Sequence, residues 1–137
     1  MVMSNSKFIM ATGLENLRIY KCAQELEKHV HNLTNSFPSD ERFKMIDQMR
    51  RSSSSVVNNI AEAYGKYNFG QKLQSTQIAR GEAYEIRSQV ESVVTKKYLS
   101  EAIANKLLED YTVLIKGISA YIKFLRTRRE SSTNSTI

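Results

Sequence analysis

Apolar residues recur at alternating spacings of four and three along most of the chain, and three short interruptions divide the pattern into four stripes. That period is helical, because a helix returns to one face every three to four residues. The first stripe is Ile19, Ala23, Leu26, Val30, Leu33 and Phe37, which predicts a helix over roughly 15–36. The single proline, Pro38, ends it in the turn NSFPSD. Ser39 is placed to cap the next helix, and Asp40 and Glu41 put negative charge in its first turn. The second stripe reads Phe43, Ile46, Met49, Ser53, Val56, Ile60 and Ala63, up to a break marked by Gly65, Asn68 and Gly70. The third carries Leu73, Thr76, Ala79, Ala83, Ile86, Val90 and Val93, a helix over about 69–96. After a turn at 97–100, Ser100 can cap a fourth helix with Ile103, Leu107, Tyr111, Leu114, Ile118, Tyr121 and Leu125 on one face.

Short loops make sequential helices antiparallel neighbours, and stripes of this spacing bury best against one another. The expected fold is therefore all-α, an antiparallel up-down-up-down four-helix bundle. No stretch alternates with period two for long enough to make a strand. Residues 1–14 read as a loosely ordered lead-in, 15–128 as the bundle domain, and 129–137 as a disordered polar tail, because RTRRESSTNSTI loses all periodicity. A chain of 137 residues with 41% hydrophobic and 25% charged residues suits one domain with a core of its own. Its one cysteine, Cys22, cannot form an internal disulfide, so cytoplasm is the expected compartment. The start, MVMSNSKFIMATG, lacks the basic lead and long apolar core of a signal peptide, and no run of about 18 apolar residues predicts a membrane span.

The stretch QMRRSSSSVVNNIAEAYGK at 48–66 looks at first like a serine linker or a phosphate loop. Its apolar positions stay in phase with their flanks, and no GxxxxGK[ST] follows a strand, so it belongs to helix two. Gln48, Arg50, Arg51, Ser52, Ser55, Asn59 and Glu62 then gather toward one side. Small side chains let a neighbour approach closely, and serine hydroxyls can return a bond to the carbonyl four residues back. The group reads as a polar structural seam, within or between subunits; the alternative is an ordinary solvated face.

Catalytic and metal chemistry find little support. His29 and His31 are two apart on a helix and do not face each other. No Glu-x-x-His motif of a bundle metal site occurs, so no cofactor or metal is expected. Cys22 has no histidine one turn away and reads as a small packed thiol. Charge is more informative: a net +6 and a pI near 9.5 favour anionic partners. In an up-down-up-down bundle helices two and four end together, which puts Lys66 and Lys72 beside Lys123, Arg126, Arg128 and Arg129. Such a basic end suits phosphate contacts without sequence readout. Tyr64 and Tyr67 flank the turn there; they read as closing the end of the core, with base stacking as the other reading.

The residues FPSDERF at 37–43, QMRRSSSSVVNNIAEAYGK at 48–66 and IARGEAYEIRSQ at 78–89 carry a family resemblance. The chain resembles the intervening-sequence proteins of bacterial 23S ribosomal RNA genes. Their pattern is an FP turn, a Glu and Phe, a Gln before paired arginines, then Ser and an Asn-Ile-Ala-Glu-Gly segment. It is matched here by Phe37, Pro38, Glu41, Phe43, Gln48, Arg50, Arg51, Ser55, Asn59, Ile60, Ala61, Glu62 and Gly65, and further on by Phe69, Leu73, Ile78, Ala79, Gly81 and Glu85. Ala63 stands where that family usually has Gly, and Glu82-Ala83 where it has Ser-Leu, both packing changes within a helix. The resemblance extends from residue 17 to residue 125 and implies a four-helix bundle that assembles as a homopentamer. More distantly the chain resembles the accessory proteins of diversity-generating retroelements, basic pentameric bundles that bind a reverse transcriptase and nucleic acid. The functional expectation is a non-enzymatic homo-oligomeric interaction module that binds RNA or DNA through a basic rim. A protein-binding scaffold with no nucleic-acid role is the alternative.

Overall fold

The computed structural model describes residue 14 and residues 17–135, without the side chains of 41–43 and 132–135. The lead-in expected over 1–14 lies outside that range except for Leu14, and so does the side chain of Phe43. Helix α1 spans Arg18–Thr34, α2 Asp47–Gly65, α3 Phe69–Thr95 and α4 Glu101–Ser135. Among the described residues every regular element is helical, and the chain forms the expected four-helix bundle, with each helix packed on the next and α4 closing against α1.

The stripes form the core. Ala23, Leu26, Val30, Met49, Val56, Ile60, Ile86, Val90, Leu107, Tyr111, Leu114, Ile118 and Leu125 are all buried in one cluster. Each large apolar side chain removed from water in this way contributes about 1.5–3 kcal/mol. Where α1 meets α4, a Cβ added to Gly117 would lie 2.9 Å from Cγ2 of Ile19. The helices approach closely there because residue 117 has no side chain.

The helix ends are built differently from one another. Asn68 caps α3, its Oδ1 accepting from the Gln71 amide at 2.9 Å. Ser100 caps α4 as expected, accepting from the Ile103 amide at 3.3 Å. The expected start of helix two at Ser39 is corrected: Ser39–Glu41 form a 3₁₀ turn and Arg42–Ile46 a wide π turn before α2 begins at Asp47. Met45 and Ile46, at the end of the π turn, are both buried in the core. At the other end, α4 continues to Ser135 rather than giving way to an irregular tail at 129, with residues 126–131 exposed.

Candidate nucleic-acid interface

The α2–α3 turn and the last turns of α4 meet at one end of the bundle. Arg80 Nη1 donates to Ser119 Oγ at 3.1 Å, which sets α3 and α4 antiparallel in register. Ten residues further along both helices, the Arg129 guanidinium lies 3.7 Å from where a Cβ on Gly70 would sit. Lys66, Lys123, Arg126, Arg128 and Arg129 therefore belong to one region, and all but the half-buried Lys66 are exposed.

The cations there are not equivalent. Lys72 Nζ donates to the carbonyls of Ala63 and Tyr64 at 3.2 and 3.1 Å, and so closes the end of α2. Burial lowers its pKa. Lys72 is thus a capping residue more than a rim charge, and its ammonium also lies 5.8 Å from the Tyr64 ring centre. Lys66 pairs with Glu62 at 3.6 Å. Arg128 sits 5.9 Å from the Phe124 ring centre. Tyr121 stacks on Phe124 with centroids 6.1 Å apart. Burial, and then Tyr64 nearby, raise the Tyr121 pKa.

The reading of Tyr64 and Tyr67 as closing the core is corrected. Tyr64 is 37% exposed and Tyr67 98% exposed. The turn Lys66–Asn68 is too short to fold back over the core, since extended backbone at Lys66 and Asn68 carries the chain directly from α2 into α3. The result is a basic end with aromatic rings set among its cations. Sequence reasoning found the charges from topology and missed the contribution of Phe124, whose spacing places it just outside the buried stripe.

The seven residues of the expected seam divide among three settings. Arg50 turns toward α1, where Nε donates to Thr34 Oγ1 at 2.8 Å and Nη2 to Asn35 Oδ1 at 2.7 Å and to the His31 carbonyl at 3.3 Å. Ser52 is buried against α3, accepting from Gln89 Nε2 at 3.3 Å. Gln48, Arg51, Ser55, Asn59 and Glu62 lie on the outer side of α2. Arg51 pairs with Asp47 at 2.7 Å, and Asn59 donates to Ser55 Oγ and its carbonyl at 3.1 and 2.9 Å. Ser54, outside the expected set, donates to Glu27 on α1. Asn59 and Glu62 also line an open groove of about 230 Å³ with Lys66 and with Gln71, Gln74, Ser75 and Ile78 of α3.

Elsewhere, His29 and His31 are exposed, and among the described residues no three His, Cys, Asp or Glu side chains gather as a metal site. Cys22 is half-buried, and burial, then Glu25 and Asp110, raise its thiol pKa, the reverse of what a nucleophile needs. Glu85 meets Glu82 on the same helix. No helix among the described residues is long and apolar enough to cross a membrane.

The family model of the 23S rRNA-intervening sequence protein matches residues 15–120. A crystal structure of a protein of unknown function from the S23 ribosomal protein family of Bacteroides thetaiotaomicron VPI-5482 superposes with a TM-score of 0.72. It is 24% identical, and the match covers 77% of this chain and 95% of that one, a likeness of fold. No curated protein matches the chain.

Proposed function

The chain belongs to the 23S rRNA-intervening sequence protein family, and on that premise we propose that it is a non-enzymatic, self-assembling bundle that binds RNA or DNA through its basic end without reading sequence. The observation that carries the reading is the convergence of Lys66, Lys123, Arg126, Arg128 and Arg129 on one end, interleaved with Tyr64, Tyr67 and Phe124. Cations on exposed helical turns meet phosphates, and each phosphate neutralised releases counterions, which makes such binding strong at low salt and weak at high salt. They carry no base code of their own. The distant resemblance to the retroelement accessory proteins points toward the same chemistry. A non-enzymatic role is supported by the raised thiol of Cys22 and the exposed, unclustered histidines.

Gel shifts with RNA and DNA over a salt series test the reading. Replacing Arg126, Arg128 and Arg129 together by Gln is expected to abolish binding at moderate salt and to reduce the salt slope by about 2–3, at roughly 0.9 per phosphate contact. Absence of binding by the wild-type chain at low salt would overturn it. Tyr84, Ile103 and Val113 are exposed away from the basic end and favour a second reading for those faces, contact with protein, another copy of the chain first. The proposed assembly is a homopentamer.

A further inference from the structure

We infer that the basic end takes a single strand rather than a duplex, with Tyr67 as the platform on which a base stacks. The inference rests on the nucleic-acid reading above and adds which form of the polymer is bound and by what contact. Tyr67 is 98% exposed. Among the described residues its ring has no aromatic or cationic partner. Yet it is not on a loose loop. On one side the Lys66 amide donates to the Ala63 carbonyl at 3.3 Å and ends α2. On the other, Asn68 caps α3 through Gln71. A bulky ring is thus held in water on a three-residue turn with both flanks fixed by helices.

The surroundings give the ring an anionic, flat occupant. Lys66 precedes it, Arg129 lies over Gly70 three residues on, and the stacked pair Tyr121–Phe124 carries Arg128 on its Phe124 side. Phe124 is itself 53% exposed. A duplex offers this surface its phosphates, while its bases stay sealed in their own stack. A single strand offers phosphates and unstacked bases together, so ring and cations are used at once. Every base has a π-face, so stacking of this kind tolerates any sequence.

The test uses the full chain and labelled oligonucleotides of one sequence: single-stranded RNA, single-stranded DNA and the DNA duplex. Tyr67→Ala is expected to weaken single-strand binding roughly 5- to 150-fold, the range of one lost base–aromatic stack. Duplex affinity and the salt slope should not move, and Tyr67→Phe should keep wild-type affinity. Because the chain has no tryptophan, Tyr67→Trp introduces one indole whose emission reports stacking directly. Quenching by either single strand, with none by the duplex, supports the inference, and the two single-strand arms show whether RNA or DNA is preferred. Salt-dependent binding that Tyr67→Ala leaves unchanged, with no quenching in Tyr67→Trp, overturns the stacking contact alone. Failure of the wild-type chain to bind any of the three at low salt overturns the nucleic-acid reading with it.

Discussion

Glu82 carries a carboxyl that is harder to ionise than a free one. Burial against α2 is the first cause, the Glu85 carboxyl beside it the second, and the Ser52 hydroxyl works in the opposite direction. A carboxyl raised in the folded state binds its proton more tightly there than in the unfolded chain, where it titrates near 4.3. Its contribution to stability is therefore complete below that value and is lost as pH rises through the folded pKa. Glu82→Gln keeps the shape and removes the charge. The variant is expected to gain on the wild type as pH rises from 4 to 7, read as urea midpoints at each pH; parallel curves would show that Glu82 does not titrate differently on folding. This residue also marks what sequence reading cannot reach. Ser52 and Ser55 are the same residue type one turn apart, yet one is buried on Gln89 and the other lies at the surface. Which serine is inside depends on a helix 30 positions away. Lys72 is similar: its charge is visible in the sequence, but its use as a cap on Ala63 and Tyr64 needs the return of α3 beside α2.

The helices are legible because their stripes repeat for five or six turns, and a long periodic signal outweighs the weak helix propensity of four serines. Legibility fails where the winding itself changes. Across 39–46 the tight turn and the wide turn disturb the period, so the extrapolated start of helix two falls too early. It fails again at Ile103, which is 43% exposed because Ala104 takes the inward position in the first turn of α4. The end of α3 holds the clearest consequence for stability. The Tyr98 amide donates to the Val93 carbonyl and the Lys97 amide to the Val94 carbonyl, both at 2.9 Å, which is the Schellman pattern. It sets Lys97 at φ 64, the left-handed region that favours glycine. Tyr98 then packs on Phe37 at 5.5 Å and ties the turn to the end of α1. The turn holds a lysine in a strained conformation because the contact beyond it is retained. Lys97→Gly relieves that strain, with an expected gain of about 1 kcal/mol in chemical denaturation. A loss would mean that the lysine side chain supports the turn in a way that outweighs its backbone cost.

The whole molecule is a bundle with one basic end, and its charge acts differently alone and in a ring. A net +6 spread over one small domain gives a modest field. Closed cyclic symmetry with the bundles standing side by side brings the same end of every subunit to the same rim. Five copies of Lys66, Arg126, Arg128 and Arg129 then face one strand, and each contact after the first is made at high local concentration. The proposed pentamer and the proposed binding are coupled in this way. The surface offers an apolar patch for such an assembly. On α4, Val113 and Ala120 are exposed two turns apart on one side of the helix. Val113 is 62% exposed and outside the core, so Val113→Glu leaves the bundle interior untouched. Light scattering of the wild type is expected to give about five times the 15.7 kDa chain mass. Val113→Glu is expected to lower that mass toward a single chain with the helical circular dichroism retained, and to weaken strand binding by far more than one added charge accounts for. A variant still at the wild-type mass takes the α4 patch out of the interface. A wild-type chain that runs as a monomer at micromolar concentration removes the ring, and leaves the basic end to bind as one weak patch.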